Sequence, residues 1–207
     1  MSCAIVMLTK CPSEMPKSRL AQAIGASKAI DVHVSLVLHM AEVIKASRLP
    51  FKVSFKGPIQ SQLANQLRKL GAQVIPQSEG GLGDRIYHAF SLAERCTVVG
   101  SDCPWISIEQ LQEASKTKEV VIGPAFDGGY YLISASRPPK ALFEDISWST
   151  DEVLAQTLQK CRSLSIPVIQ QEVRYDIDTI HDLHRAIRSN HLPPNIHERF
   201  KEYARSL

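Results

Sequence analysis

The sequence predicts an α/β fold, in which a mostly parallel sheet carries helices on both faces. Short apolar segments of strand length alternate with helical patterns along the chain. The connections between successive elements are short, as in βαβ units. One pair of strands, 120–122 and 130–134, is separated only by a glycine-bearing turn, without an intervening helix. The sheet is therefore predicted to be mixed at that point.

The N-terminal half alternates strand and helix patterns. Residues 3–8 are short and wholly apolar, as in a buried strand, and a polar loop with two prolines covers residues 9–20. A helix is predicted at 27–46 because apolar residues recur there on one helical face. The other elements predicted in this half are a strand at 51–55, a helix at 61–70, a strand at 73–75, and a helix from the glycines of 79–85 to about residue 94.

The C-terminal half continues the alternation. A strand containing Val98 and Val99 is predicted to end at Asp102, because Pro104 prevents further ladder pairing. The remaining predicted elements are helices at 107–115, 140–143, 151–162 and 181–188, strands at 120–122, 130–134 and 168–173, and a polar tail. Since no repeat, low-complexity segment or linker interrupts the pattern, residues 1–207 are predicted to form a single domain.

Composition excludes several classes of function. With 44% hydrophobic and 22% charged residues, the chain of 207 residues has the composition of an ordinary globular protein. A net charge of +3, without a basic stripe interleaved with aromatic residues, argues against nucleic acid as a partner. The first apolar run is too short for a membrane span or a signal segment, so a cytoplasmic location is expected. The oligomeric state is left open.

Cysteine and histidine chemistry is not indicated. The five cysteines are widely spread and form no C-x-x-C pair, which argues against a zinc site or a disulfide framework. Cys103 adjoins Asp102, but no histidine partner is evident near it, so a nucleophilic role is disfavoured. The seven histidines show no H-E-x-x-H spacing and are interpreted as structural or exposed.

Three acidic motifs are candidates for a functional site. Asp102 follows a buried strand, which brings its carboxylate to the sheet edge where open α/β folds bind ligands and where it could hold a divalent cation. Asp127 precedes two glycines, Gly128 and Gly129, whose backbones let a ligand approach closely. Asp176 and Asp178 alternate along an extended segment, so only one of them is expected to face the site. The structural alternatives are a helix cap, a simple turn and a second helix cap, respectively.

Two basic motifs are candidates for phosphate binding. Gly80–Arg85 could wrap a phosphate with backbone amides at a helix N-terminus, and Arg85 could bind it bidentately, although neither a P-loop nor a dinucleotide fingerprint is present. Lys17 and Arg19, in the loop after the first strand, could neutralise a diphosphate or triphosphate. Solvated surface charge is the alternative for both motifs.

Together and in this order, these motifs resemble those of small bacterial glycosyltransferases with the GT-A, or nucleotide-diphospho-sugar transferase, fold. That family was first catalogued as a domain of unknown function, and some members are linked to arsenosugar biosynthesis. The resemblance extends from about Ile5 to Leu183. The segments that carry it are Lys17–Leu20, Gly80–Arg85, Gly100–Pro104, Gly123–Ile133, Trp148–Thr150 and Asp176–Thr179.

The resemblance implies a metal site and a catalytic carboxylate. Asp102 would be the metal-binding carboxylate of a shortened DxD-type motif. Asp178 would be the second ligand, because related nucleotidyltransferases use a late aspartate in a similar D-T-x-x-D-L context. The implied cofactor is Mg²⁺ or Mn²⁺, which takes one or two carboxylates together with phosphate oxygens and water. Asp127 would face the sugar or the acceptor as the base.

The resemblance also implies how the substrate is bound. Lys17, Arg19 and Arg85 would supplement the metal at the diphosphate, and Trp148 would stack on a sugar face or pack in a lid. Backbone positions near the substrate would be Gly81, Gly128 and Gly129. The chain departs from the family in the loop Pro12–Pro16, which is shorter and lacks the usual glycine, and at Ser18, where threonine is usual.

The predicted function is that of an enzyme, a metal-dependent glycosyltransferase that moves a sugar from a nucleotide sugar to a small-molecule acceptor. One alternative is a guanylyl- or cytidylyltransferase-like nucleotidyltransferase of the same fold, which would release pyrophosphate. A second alternative is a non-catalytic nucleotide-binding module.

Overall fold

The computed structural model of the protein describes residues 3–189 and 192–205. Its strands are β1 (Cys3–Lys10), β2 (Phe51–Lys56), β3 (Gln73–Pro76), β4 (Arg95–Val99), β5 (Val120–Pro124), β6 (Tyr130–Ala135) and β7 (Val168–Gln170). Its α-helices are α1 (Ser18–Ile24), α2 (Ala26–Ala46), α3 (Gln62–Lys69), α4 (Leu82–Phe90), α5 (Ile108–Lys116), α6 (Val153–Ser163), α7 (Ile180–Ser189) and α8 (Pro194–Arg205). Short 3₁₀ turns occur at Pro12–Glu14 and Lys140–Leu142.

The strands form one seven-stranded sheet in the order β3-β2-β1-β4-β6-β5-β7. Every neighbouring pair is parallel except those of β6, which runs antiparallel to both β4 and β5. This arrangement confirms the predicted mixed sheet, including the position of its antiparallel strand. Because the order reverses beside β1, the carboxyl ends of β1 and β4 border a crevice of the kind in which open α/β sheets bind ligands.

Apolar side chains alternate along β1 and cover both faces of the sheet. Ile5 and Met7 pack in a cluster with residues of α2, α3 and α5, whereas Val6 packs on the opposite face with residues of α4 and α6. All three side chains are fully buried. Burial of each such side chain stabilises the fold by about 1.5–3 kcal/mol. Helices therefore pack against both faces of the sheet at β1.

A third cluster contains the two helices that the sequence analysis did not predict, α1 and α8. Phe200 of α8 is fully buried there, and Ile196 lies one helical turn before it. The spacing of these two residues, with Pro194 at the first helical position, is a helix signal hidden within the polar tail. Helix α1 lacks a side-chain cap, because it begins after Lys17 in a left-handed backbone conformation.

Several element boundaries also differ from those predicted. Strand β4 ends at Val99, so Asp102 lies on the following loop and not on the last strand position. Strand β7 ends at Gln170, and residues 140–142 form a 3₁₀ turn. Strand β1 continues to Lys10, where the analysis placed a loop. Within the described ranges, no helix combines the length and apolar character needed to cross a membrane.

Candidate functional site

Two adjoining cavities open at the carboxyl ends of β1 and β4. The first, here called the basic cavity, has a volume of about 520 Å³, and the second, the acidic cavity, has about 540 Å³. The basic residues that line the first are Lys10, Lys17, Arg19, His33, Lys56 and Arg85. The acidic residues that line the second are Asp102, Asp127, Asp151, Asp176 and Asp178. The wall common to both contains Leu8, Arg19, Ser101, Asp102, Ser149 and Asp178.

An ion-paired trio lies at that common wall, with two carboxylates that line both cavities and a lysine that lines the basic one. The ammonium of Lys17 lies 2.7 Å from Oδ1 of Asp102 and 2.8 Å from Oδ1 of Asp178. The Lys17 side chain is 2% exposed, whereas the carboxylates are 38% and 46% exposed. The two carboxylates that the sequence analysis assigned to one site are therefore side by side, and their outer surfaces remain open to the cavities.

Backbone hydrogen bonding explains how the two carboxylates meet. The amide of Ile177 donates to the carbonyl oxygen of Asp102 at 3.0 Å, which joins the two loops. Ile177 is buried in the third core cluster and anchors its loop there. The expectation that only one of Asp176 and Asp178 faces the site is wrong, because both line the acidic cavity. Residues 175–178 are not a strand, so strand alternation does not apply to them.

The charges of Lys17 and of the carboxylates beside it shift one another's pKa values. Burial alone would lower the pKa of Lys17, but the charges of Asp102 and Asp178 outweigh it and raise the pKa. For Asp102, burial would raise the pKa, yet the charge of Lys17 outweighs it and lowers the pKa below its usual value. Lys17 and Asp102 thus stabilise each other's charged forms.

Asp176 has the opposite electrostatic behaviour. Burial, followed by the charges of Asp102, Asp178 and Asp127, raises its pKa to about 8. Among the described residues, no side chain or backbone group forms a hydrogen bond or ion pair with its carboxyl group. Asp176 was not assigned to the site from the sequence, and its place in the acidic cavity is a finding of the structure.

The donor set at the common wall fits a divalent cation that retains outer ligands. The described residues contain no group of three or more histidine, cysteine or acidic side chains arranged as a complete metal cage. Two converging carboxylates are what Mg²⁺ needs when phosphate oxygens and water supply the other positions. The Lys17 ammonium stands in for a cation there, since it already contacts both carboxylates.

The basic cavity brings together all three cations predicted to bind phosphate, Lys17, Arg19 and Arg85. Arg19 is the second residue of α1, and Arg85 lies in the first turns of α4 with a buried Nε that has no hydrogen-bond partner in the described part of the chain. Gly81 lies outside the lining of both cavities. Its amide is engaged by Oδ2 of Asp84 at 3.0 Å, within its own helix N-terminus.

The turn at Asp127 lies at the edge of the acidic cavity. Oδ1 of Asp127 accepts the Gly129 amide at 3.0 Å, so the residue forms the Asx turn considered as its structural alternative and also lines the cavity. Gly128, with φ +87°, does not line the cavity. A Cβ on Gly128 would overlap the backbone of Asp151, so this glycine fixes the turn against the segment before α6.

Trp148 lines the acidic cavity, as predicted for a residue near the substrate. Its ring packs edge-on against Tyr130 with centroids 6.3 Å apart. A Cβ on Gly83 would lie 2.6 Å from the indole nitrogen, so the first turn of α4 approaches the ring closely. The side chain is therefore part of the cavity wall and is held from behind.

Sequence reasoning missed three residues of the basic cavity. Lys10 and Lys56 are register partners at the carboxyl ends of β1 and β2, and would have been found by extending both strands by one or two residues. Nε2 of His33 lies 2.9 Å from the carbonyl oxygen of Lys10, and its Nδ1 is buried without a partner among the described groups. Burial lowers the pKa of His33, which favours its neutral form.

Comparison with protein families gives a match over residues 39–150. The matched family is described as "Uncharacterized protein conserved in bacteria (DUF2064)". A search of curated protein sequences finds no relative.

Solved structures similar to this chain share its fold. One, from Desulfovibrio desulfuricans G20, is provisionally named a nucleotide-diphospho-sugar transferase. It is 26% identical, covers 100% of this chain and 98% of its own, and has a TM-score of 0.86. A cytidylyltransferase from Leptospira borgpetersenii is 14% identical, with coverage of 100% and 93% and a TM-score of 0.61. The inositol-1-phosphate CTP transferase from T. maritima is 15% identical, with coverage of 98% and 96% and a TM-score of 0.56. The chain therefore has the nucleotide-diphospho-sugar transferase fold.

Proposed function

Because the chain belongs to the bacterial family DUF2064 and has the nucleotide-diphospho-sugar transferase fold, we propose that it is a glycosyltransferase. Its donor is a nucleoside-diphosphate sugar, and its acceptor is a small molecule. The observation that carries this proposal is the convergence of Asp102 and Asp178 on the wall between a basic and an acidic cavity. The diphosphate of such a donor would lie at this wall, beside the two carboxylates.

The basic cavity would bind the nucleotide. Lys10, Lys56 and Arg85 supply positive charge where the diphosphate and nucleoside approach. Arg19 lies on the common wall, within reach of the phosphate nearest the sugar. These cations are fixed before the donor arrives, so they stabilise the charge that develops on the leaving diphosphate.

Asp102 and Asp178 would hold Mg²⁺ or Mn²⁺ against the diphosphate. The metal supplies Lewis-acid stabilisation of the departing nucleoside diphosphate. Lys17 contacts both carboxylates and lowers the pKa of Asp102, and its ammonium lies close enough to contribute to the same charge stabilisation.

Asp127 and Trp148 would act on the sugar side. Asp127 faces the acidic cavity with one carboxylate oxygen free of the turn, so it is the proposed base that accepts the proton of the acceptor hydroxyl. Trp148 offers an aromatic face in the same cavity for stacking against the sugar ring.

Nucleotidyl transfer is the second candidate, and the cytidylyltransferases among the similar structures favour it. Such enzymes usually carry a glycine-rich loop after the first strand. Residues 11–17 of this chain contain no glycine and instead form a 3₁₀ turn with Met15 and Lys17 in left-handed conformations. The name of the Desulfovibrio protein, a nucleotide-diphospho-sugar transferase, agrees with the proposed class of donor.

Product analysis separates the candidates. The protein is incubated with a panel of nucleotide sugars and Mn²⁺, and separately with nucleoside triphosphates and sugar phosphates. We expect slow release of a nucleoside diphosphate from one donor even without acceptor, because water can replace the acceptor hydroxyl. Release should be lost in Asp102→Asn and kept in Asp145→Asn, which alters an exposed carboxylate outside both cavities. Pyrophosphate from a triphosphate would instead support nucleotidyl transfer, and no turnover with any substrate would support the binding module.

A further inference from the structure

The acidic cavity has an excess of negative charge that the metal site does not account for. Its lining, within the described residues, contains five aspartates and one basic residue, Arg19. Asp102 and Asp178 contact Lys17 and would contact the metal. The other three aspartates form no ion pair with any described residue. Those three are Asp127, Asp151 and Asp176.

We infer that the transferred sugar carries no anionic group and that Asp151 and Asp176 hydrogen-bond to its hydroxyls, while Asp127 faces the acceptor as the proposed base. This inference rests on the proposed function, since it concerns the sugar half of the donor. A sugar carboxylate or phosphate in the cavity would face Asp127 and Asp151 without a basic partner, and like charges at short range repel. A neutral sugar meets no such penalty.

Asp176 gives independent support for a hydroxyl-bearing ligand. Its side chain is partly buried, lines the cavity and forms no hydrogen bond with a described residue. A partly buried carboxyl group that no protein group satisfies is available to a ligand hydroxyl. A sugar hydroxyl can both donate and accept, so it satisfies this group whether the carboxyl is ionised or protonated.

The remaining wall suits the apolar face of a sugar ring. Trp148 and Tyr130 line the same cavity, and their rings contact each other edge to face. Aromatic faces pack against the C–H groups of a sugar while its hydroxyls point to polar side chains. Arg19 does not offset the charge, because it lies on the common wall, where the diphosphate would engage it.

Paired donors that differ by one carboxylate test the inference. Calorimetric titration with UDP, GDP, CDP, ADP and dTDP in Mn²⁺ first identifies the nucleobase that the protein prefers. The neutral and uronic forms of the corresponding donor are then compared, for example UDP-glucose with UDP-glucuronic acid, or GDP-mannose with GDP-mannuronic acid. We expect the neutral donor to bind at least about tenfold more tightly. Equal affinity, or tighter binding of the uronic donor, would overturn the inference.

Two substitutions test whether Asp127 and Asp151 cause the preference for the neutral donor. Replacing both Asp127→Asn and Asp151→Asn removes the repulsion while keeping the side-chain volumes, so the affinity ratio should fall to about threefold or less. Asp145→Asn is the matched control, because it removes an exposed carboxylate outside the cavity and should leave the ratio unchanged. A preserved ratio in the double variant would contradict the assignment. The single variant Asp151→Asn gives the same comparison if the double variant does not fold.

The experiment distinguishes an error in the proposed function from an error in the inference about the sugar. If neither nucleoside diphosphates nor donors bind in Mn²⁺, the proposed function itself is wrong. If nucleoside diphosphates bind tightly and the uronic donor binds as well as the neutral one, only the inference about the sugar is wrong.

Discussion

The amide of Ile177 donates to the carbonyl oxygen of Asp102 at 3.0 Å, and this bond ties the loop after β4 to the loop before α7. It fixes the backbone of both loops next to the carboxylates that contact Lys17. The proposed metal binding at this point would need little rearrangement of the chain, because the two proposed ligands are already adjacent.

Removal of either carboxylate should abolish metal-dependent function. Asp102→Asn and Asp178→Asn each leave one ligand, and we expect both to reduce turnover by about a hundredfold or more. Titration of Mn²⁺ in the presence of a nucleoside diphosphate should show the matching loss of metal affinity. Wild-type metal affinity in both variants would mean that the ion binds elsewhere.

Lys17→Met should make the protein depend on metal for its stability. Without the ammonium, Asp102 and Asp178 face each other as unneutralised like charges, so the melting temperature in EDTA should fall below that of the wild type. Mn²⁺ should restore more stability to this variant than to the wild type. Lys160→Met is the control, since its partner Asp145 is exposed and such surface pairs contribute about 0–1 kcal/mol. Identical behaviour of the two variants would contradict the account of the trio.

Gly128→Ala should destabilise the turn beside the acidic cavity. The new Cβ would overlap the backbone of Asp151, and φ +87° is unfavourable for any residue with a side chain. We expect a loss of about 2–4 kcal/mol in the free energy of unfolding, measured by urea denaturation. Gly25→Ala provides a comparison, because Gly25 also has positive φ but no atom lies within 4 Å of its Cβ position. A cost no larger than that of Gly25→Ala would show that the turn can move away.

Met15→Gly should stabilise the loop after β1. Met15 has φ 46° and is 60% exposed, so glycine relieves left-handed strain while little packing is lost. The expected gain in unfolding free energy is about 0.5–1 kcal/mol. Met15→Ala, which keeps the Cβ, should show no gain. A loss of stability in the glycine variant would mean that the exposed side chain makes contacts that matter.

Cys103 should resist alkylation in the folded protein. The thiol is fully buried, and that burial is the main reason that its pKa lies well above the usual value. At pH 8 the group therefore stays protonated, and the nucleophilic thiolate is scarce. Mass spectrometry after treatment with iodoacetamide should find Cys103 unmodified in the native state and modified in urea. Rapid native modification would reopen a nucleophilic role.

The sequence predicted the sheet from local patterns, whereas the pairing of Asp102 with Asp178 was implied by the family resemblance. Apolar runs identify strands, and residues that follow the carboxyl ends of strands meet at one edge of the sheet. Asp102 reaches that edge for this reason, and the hydrogen bond from the Ile177 amide to its carbonyl oxygen holds Asp178 beside it. The antiparallel position of β6 follows from the short turn before it.

The rest depends on tertiary contacts that leave weaker local signals. Lys17 lies between two carboxylates with its backbone in the left-handed region. Residue propensities do not predict that conformation for a lysine. The entry of Asp176 into the cavity depends on a loop path anchored by buried Ile177. Helix α8 is stabilised by burial of Phe200 in the third cluster. Its mostly polar sequence alone predicts only a tail.

A crystal structure with Mn²⁺ and a nucleoside diphosphate, read from the anomalous signal of the metal, tests the central claim most directly. The account predicts one ion about 2.0–2.2 Å from a carboxylate oxygen of each of Asp102 and Asp178, with the diphosphate extending into the basic cavity. An ion bound away from these two carboxylates, or a nucleotide bound outside the basic cavity, would contradict it.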